Sequence, residues 1–344
     1  MTAVTPITHA LDRSRAQVEP ALRAAVERLD PANRAIAIYH LGWTEADGTP
    51  RLSGGGKAIR PTLALLSTEA AGAPADVGMP GAVAVELVHN FSLLHDDVMD
   101  GDVERRHRPT VWAVWGVPAA ILAGDAMLAL ANDVVLEAPC GPAATRVLNA
   151  AVAELIRGQT EDLAFETRSW VGLDECRRMA AGKTGALLSA SARIGAVLAG
   201  ADDDVVEALG AYGAHVGMAF QLVDDLLGIW GDPAVTGKPV LSDLRSRKKS
   251  LPIAYVLSLA DARAESLAQW LAAPDAGRNG AAGDEEELTR VATLVEQAGA
   301  RQWVTAEAER QVEFAEAALT SVRLAAGPSR ELLALARFVI DREA

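Results

Sequence analysis

The stretch HNFSLLHDDVMDGDVERRHRPTVW, His89–Trp112, sets His89, Asp96, Asp97 and Asp100 in an otherwise apolar run and follows them with Arg105 and Arg106. Three carboxylates this close repel one another unless a cation holds them, and adjacent arginines repel unless an anion sits between them. The combination points to a metal ion and a polyanionic ligand meeting at one place. On a helix, Asp96 and Asp100 lie one turn apart on a shared face, Asp97 points about 100° away, and His89 joins the Asp96 stripe. Mg2+ takes oxygen ligands, keeps several waters and needs only one or two carboxylates besides substrate phosphate, so a pair at this spacing suits it. An isolated DxxxD reads as readily as a solvated helix end; here the apolar flanks AVAVELV and FSLL argue against that.

Further along, GMAFQLVDDLLGIWGD, Gly217–Asp232, repeats the pattern. Gln221, Asp224, Asp225 and Gly228 follow i, i+3, i+4, i+7 spacing on a helix whose other residues are mostly apolar. Buried carboxylates are costly unless paired or bound to metal. Two such stripes on two helices predict a cavity with metal between them, as other helix bundles build carboxylate sites. Candidate cations are spread along the chain. Lys57 and Arg60 follow a glycine-rich turn, Lys183 and Thr184 interrupt an apolar helix, Lys238 sits in TGKPV and Lys248 in SDLRSRKKSLP. Taken singly these read as solvated surface; the glycine-preceded lysines 57, 183 and 238 look more deliberate.

Composition frames these clusters. Of 344 residues half are hydrophobic and only 4% aromatic, and Ala and Leu dominate over β-branched alternation, which favours helices. A formal net charge of −14 argues against a nucleic-acid partner and against docking on an anionic membrane. Cys140 and Cys176 lack metal-ligand spacing and read as small buried hydrophobes of a reducing compartment. The N-terminal MTAVTPITHALDRSRAQ lacks the apolar core of a signal peptide, and no run approaches the roughly 18 uninterrupted apolar residues of a membrane span. A cytoplasmic protein is expected.

Helical periodicity covers Arg13–Leu29, a helix opening at Pro31, one from about Gly81, then Pro118–Leu136, Pro142–Thr167, Leu173–Leu198 and Val205–Trp230. Beyond Pro252 the pattern stays helical, broken by APDAGRNGAAGDEEE, Ala273–Glu287, which reads as a flexible polar loop. With no internal repeat and no linker, residues 1–344 are expected to form one domain, an all-α single large helical bundle around a central cavity.

Taken together, the motifs resemble those of the trans-isoprenyl diphosphate synthases, the polyprenyl synthetase family. GGGKAIRP (54–61), HNFSLLHDDVMDGDVERRHRPT, GQTEDLAFE (158–166), GKTGALL (182–188) and FQLVDDLLGIWGDPAVTGKPVLSDLRSRKKSLP (220–252) occur in the family's order. The resemblance implies the isoprenoid synthase fold, a homodimer, and head-to-tail (1′-4) condensation of isopentenyl diphosphate with an allylic diphosphate (dimethylallyl, geranyl or farnesyl). It implies that Asp96 and Asp100 bind two Mg2+, that Asp224 helps bind a third, and that Asp97 and Asp225 support them. Arg105, Lys183, Lys238 and Lys248 would hold the allylic diphosphate, and Lys57, Arg60, His89 and Arg106 that of isopentenyl diphosphate. Thr184 and Gln221 would turn oxygens toward the developing carbocation. Gly228 stands where many relatives carry aspartate; if that carboxylate only bonds metal-bound water, its loss costs on the order of 1–3 kcal/mol. A terpene cyclase shares the ionisation step, but would carry an NxxxSxxxE-type second motif and lack the isopentenyl site. A non-catalytic partner subunit tends to lose the acidic motifs, which this chain keeps.

Chain length follows from the opening stretch. Each added isoprene buries five carbons, a gain of about 4 kcal/mol at roughly 0.8 per carbon, so growth continues until something blocks it. Phe91, five residues before Asp96, lies about 7–8 Å deeper along the helix. Helical phase alone leaves Ser92 as near to Asp96 as Phe91 is, or nearer. In the family an aromatic residue at this place commonly forms the pocket floor, and with small Ser92 beside it the pattern most resembles the geranylgeranyl (C20) synthases. Farnesyl diphosphate (C15) is the alternative, and ordinary core packing of Phe91 is the plainest one.

Overall fold

The computed structural model describes residues 6–51, 58–232, 240–273 and 282–341. Helices follow one another as α1 (Pro6–Val26), α2 (Pro31–His40), α3 (Ile59–Ala70), α4 (Met79–Met99), α5 (Val111–Trp115), α6 (Val117–Leu136), α7 (Gly141–Glu166), α8 (Leu173–Ala180), α9 (Ala186–Leu198) and α10 (Asp203–Trp230). After these come α11 (Ser242–Arg245), α12 (Leu251–Ser258), α13 (Ala262–Ala272), α14 (Ala282–Gln297), α15 (Ala300–Thr320) and α16 (Ala326–Ile340). Among the described residues the only strands are β1 (Glu104–Arg105) and β2 (Arg108–Pro109), an antiparallel pair.

Local chemistry sets several boundaries. Asp30 caps α2 by accepting from Ala32 N and Asn33 N at 3.1 and 3.2 Å, with Pro31 in the first turn, where its missing N–H costs nothing. Asp261 caps α13 in the same way, through Arg263 N and Ala264 N. The run expected over Leu173–Leu198 is α8 and α9 joined by a single π-helical turn, Ala181–Gly185. The loop expected over Ala273–Glu287 is shorter than that at its far end, because Ala282 already opens α14; residues 274–281 lie outside the described residues. Cys176 is buried as expected, its thiol donating to Lys249 O at 3.3 Å, whereas Cys140 is only partly buried.

The chain divides into two compact units. The first comprises Met1–Val152, Leu187–Gly213 and Ala317–Leu335. Its α3 is buried along most of its length and packs on α4, which packs in turn on α6. Two helical segments, Ala75–Met99 and Val117–Leu136, are long and apolar enough by length and composition to cross a membrane, which counting uninterrupted apolar residues had not indicated. Of the most apolar window 67% is buried inside the protein in the first but 39% in the second, so α4 is a core helix while α6 keeps an apolar face at the surface. Ile121 and Leu122 belong to that face.

The second unit comprises Ala153–Ala186, Ala214–Glu316 and Ala336–Ala344. It holds two apolar clusters, one around Ile229, Ile253, Val256 and Val295, the other around Phe165, Met179, Leu222, Leu226 and Leu251. Burying a Leu or Ile side chain contributes about 1.5–3 kcal/mol. Leu222 and Leu226, one helical turn apart, therefore fix the rotation of α10 and with it which aspartate of the second acidic motif faces water.

Candidate active site

In the first unit α4 delivers the first acidic motif at its C-terminal end. Asp97 is turned inward, its side chain 2% exposed, and Arg105 Nε donates to Asp97 Oδ1 at 2.6 Å. Burial raises the Asp97 pKa, and the Arg105 guanidinium opposes that rise. Asp96 is partly exposed and Asp100, at the C-cap of α4, is exposed. The hundred-degree offset expected for Asp97 is thus observed as a division between one buried and two outward carboxylates.

The arginine pair sits on a hairpin that the sequence pattern does not reveal. Arg105 pairs with Arg108 across a two-residue loop, Arg106 and His107, with φ of 53° and 59°. Left-handed backbone at a non-glycine residue costs roughly 1–2 kcal/mol. Side-chain bonds offset it: Tyr39 Oη donates to Pro109 O at 2.7 Å, and Arg108 donates to Tyr39 O and Thr44 O at 3.0 and 2.7 Å. Beside the hairpin lies a cavity of about 610 Å3 whose lining includes six arginines, among them Arg105, Arg106 and Arg108, together with His40 and Asp97.

Arg60 and His89 share the electrostatics of this cluster. Burial draws the Arg60 pKa down to about 10, Glu86 opposing and Arg106 adding to the shift. His89 is held well below its usual range by burial and then by Arg60, Arg106 and His40, so it is a neutral imidazole. Arg60 Nε is buried without a hydrogen-bond partner. A group of cations this concentrated in a chain of net charge −14 suits a compact anion such as a diphosphate. His40, on α2, and Glu86, one turn before Asn90 on α4, are members of the cluster that the sequence motifs did not flag. Lys57, expected here, lies outside the described residues.

The second acidic motif divides in the same way as the first. On α10 Asp224 is exposed and Asp225 is buried. Asp225 accepts from Gln221 Nε2 at 2.8 Å and from Leu251 N at 2.9 Å, with Lys248 Nζ at 3.5 Å from its Oδ1. Burial pushes the Asp225 pKa up to about 6 against the pull of Lys248, with Asp243 and Asp224 adding to the rise. At Lys248 burial works against the charge, but Asp225 and Asp243 outweigh it and keep the ammonium protonated well above its usual range. The single stripe expected of Gln221, Asp224, Asp225 and Gly228 is therefore two: Asp224 faces water while Gln221 and Asp225 face the protein.

A chain of donors continues from there. Thr184 Oγ1 donates to Gln221 Oε1 at 2.5 Å, so both oxygens the sequence singled out sit together. Thr184 and Lys183 stand on the π-turn after α8, and Lys183 Nζ donates to Asp162 Oδ2 at 2.6 Å. Asp162 lies inside GQTEDLAFE but carried no assignment from sequence. Gln159, one turn before it on α7, is 6% exposed with neither amide atom bonded, and it too was missed. Asp243 was missed as well: a Cβ at Gly228 would meet its carboxylate at 2.4–2.6 Å. Lys238 lies outside the described residues.

Among the described residues no group of three or more His, Cys, Asp or Glu side chains is placed to hold a metal ion alone. Mg2+ keeps waters and takes one or two carboxylates with substrate phosphate. On α4, Asp96 is partly exposed and Asp100 exposed, and on α10 Asp224 is exposed. Of the chain-length pair, Phe91 is buried and Ser92 Oγ donates to His89 O at 2.8 Å, so the serine hydroxyl is satisfied by its own helix.

Residues 48–282 match the family described as polyprenyl synthetase. The (2E,6E)-farnesyl diphosphate synthase of Mycobacterium tuberculosis is 53% identical over 329 residues, covering 95% of this chain and 91% of that protein. The geranylgeranyl diphosphate synthase of the same organism is 42% identical over 336 residues, covering 97% and 93%. A polyprenyl synthetase crystal structure from Streptomyces coelicolor superposes with a TM-score of 0.92 at 51% identity, covering 97% of this chain and 99% of that one.

Proposed function

This chain belongs to the polyprenyl synthetase family, and we infer that it is a trans-prenyltransferase that condenses isopentenyl diphosphate head-to-tail with an allylic diphosphate. The observation that carries the reading is the repeated division of labour in the acidic motifs. Asp97 is bound by Arg105 and Asp225 by Lys248, while Asp96, Asp100 and Asp224 face outward. We assign the buried aspartates to fixing the geometry and the solvent-facing ones to metal and diphosphate.

The family is generally Mg2+-dependent, and in our reading Asp96, Asp100 and Asp224 would hold three ions, with Asp97 and Asp225 as their supports. Mg2+, when bound, neutralises the pyrophosphate that leaves. Arg105, Lys183, Lys238 and Lys248 hold the allylic diphosphate, and Lys57, Arg60, His89 and Arg106 that of isopentenyl diphosphate. The allylic C1–O bond breaks, the isopentenyl double bond supplies the electrons for the new C–C bond, and the proton on carbon 2 passes to released pyrophosphate. Thr184 and Gln221, already joined by a hydrogen bond, present lone pairs to the cation and stabilise it before attack. Residues 1–344 act as one prenyltransferase domain of a soluble, cytoplasmic homodimer, and the apolar face that α6 leaves at the surface supports the dimer.

The relatives favour a C15 product over the C20 product read from Phe91 and Ser92. Ser92 is small, but its hydroxyl is tied back to His89 O, and the space beside Phe91 is taken by the His95 ring. Farnesyl diphosphate is accordingly the product we assign. The test is an assay of the purified protein with isopentenyl diphosphate, Mg2+ and C5, C10 or C15 primers. C5 and C10 primers are expected to give C15 diphosphate and the C15 primer little product. A C20 product from all three would restore the geranylgeranyl reading, a hydrocarbon would mark a cyclase, and no product would mark a partner subunit.

A further inference from the structure

The floor that stops chain growth has a second member. This inference rests on Phe91 being that floor and adds to it. Phe91 is buried, and its ring meets the imidazole of His95 edge to face, with centroids 4.9 Å apart and planes at 72°. The two residues are four apart on α4, and helical side chains lean toward the N-terminus, so the His95 ring comes down on the turn that carries Phe91.

His95 is held at its other end by α6. Its Nε2 lies 3.1 Å from the carbonyl oxygen of Ile121, and a carbonyl only accepts, so Nε2 carries the proton and donates. Such an approach to helix backbone needs a missing side chain. Residue 124 is glycine, and a Cβ there would stand 2.4 Å from His95 Nε2 and 2.6 Å from Cδ2. Asp125 Oδ1 lies 3.8 Å from the same nitrogen. A notch in α6, an imidazole seated in it and a phenyl ring under the imidazole thus form one continuous stack.

The stack matters because a lone phenylalanine is a weak stop. Burying one more isoprene gains more than turning a single side chain out of its rotamer costs, so a floor that is free to turn gives way. The His95 ring packs directly on the Phe91 ring and so limits its room to turn. We propose that His95, seated at Gly124, is the positioning residue that holds Phe91 and thereby fixes product length.

The test is the product distribution from geranyl diphosphate and isopentenyl diphosphate for wild type, Phe91→Ala, His95→Ala, His95→Gln, Gly124→Ala and the Phe91→Ala/His95→Ala double variant. Both His95 variants are expected to raise the share of products longer than the wild type's at least about threefold, the scale of one edge-to-face contact. Gly124→Ala, which unseats the ring, is expected to act in the same direction. The double variant should match Phe91→Ala alone, because the two residues act through one element. Wild-type lengths in His95→Gln, which keeps an N–H for Ile121 O but has no ring, would overturn the proposal. So would fully additive shifts in the double variant. If Phe91→Ala itself leaves product length unchanged, the floor assignment falls, a different failure from one in which Phe91→Ala lengthens products and the His95 variants do not.

Discussion

The carboxylate of Asp243 occupies the space that a side chain at Gly228 would fill: a Cβ there would lie 2.4 Å from Asp243 Cγ and 2.5 and 2.6 Å from its oxygens. The second acidic motif therefore has a carboxylate beside its last position after all, delivered from α11 rather than from α10. Asp243 Oδ2 is 3.8 Å from Lys248 Nζ, so the same carboxylate helps hold the lysine that also pairs with Asp225.

This contact bears on restoring aspartate at residue 228. A new side chain there must displace Asp243 and bring a second negative charge against it. Overpacking of this kind costs about 1–3 kcal/mol before the charge repulsion is counted. Gly228→Asp is expected to lower kcat/KM more than tenfold, on the order of that cost converted to a rate. The Gly228→Asp/Asp243→Ser double variant should recover much of the loss. Steady-state kinetics on both variants checks this, and a double variant no better than the single one would show that Asp243 is not the obstacle.

Asp96 and Asp97 are adjacent but do different work. On the proposed assignment, Asp96→Asn removes charge where metal and diphosphate would meet, so turnover should fall by several orders of magnitude with thermal stability nearly unchanged. Asp97→Ala leaves Arg105 without its partner, and charged hydrogen bonds are worth about 1.5–3 kcal/mol. A drop of several degrees in melting temperature is expected, together with weaker binding of allylic diphosphate. Comparing calorimetric scans with kinetics for the two variants separates the roles; equal losses of stability would merge them.

The long helices and both acidic motifs were legible in the sequence because apolar periodicity and polar residues at helical spacing are local patterns. What escaped was set by tertiary contact. No period of 3.6 or 2 marks a hairpin with two residues per strand, so the Arg106–His107 turn was not foreseen. Asp162, Asp243 and His40 look like ordinary surface residues until the fold sets them against Lys183, Gly228 and the arginine cluster. The burial of Asp225 likewise follows from Leu222 and Leu226 fixing the rotation of α10, which the sequence could only bracket.

Acid should weaken the first unit through His40. Burial, then Arg106, Arg105 and Arg108, push its pKa from 6.5 down to about 3, and its Nε2 is buried without a hydrogen-bond partner. Above about pH 6.5 the ring is neutral in both folded and unfolded chains and contributes no slope. Below that the unfolded chain takes up the proton more readily, so stability falls as pH drops toward 3. Asp225, raised to about 6, acts in the opposite sense between roughly pH 4 and 6, so the effect is best read as a difference between variants. The stability of wild type relative to His40→Gln should fall by at most about 2 kcal/mol between pH 7.5 and 5, from roughly 1.5 units at 1.36 kcal/mol each. Denaturant melts at the two pH values measure it, and a gap independent of pH would remove His40 from the acid response.

The last prediction concerns the salt bridge between Lys183 and Asp162, at 2.6 Å, with side chains 25% and 20% exposed. An ammonium has three donors, and one directed to Asp162 leaves two for a diphosphate arriving from the other side. On the role proposed for Lys183, Asp162 serves to aim it. Without it the long lysine side chain regains rotamers that must be frozen again on binding, at a cost of order 1 kcal/mol. Asp162→Ala is expected to raise KM for the allylic diphosphate about five- to tenfold, that cost expressed as a binding ratio, with a smaller change in kcat. Lys183→Ala, which removes the charge itself, should be worse in both. Because Asp162 acts only through Lys183, the Asp162→Ala/Lys183→Ala double variant should be no worse than Lys183→Ala alone. Effects that multiply in the double variant would mean that Asp162 meets the substrate by a route of its own.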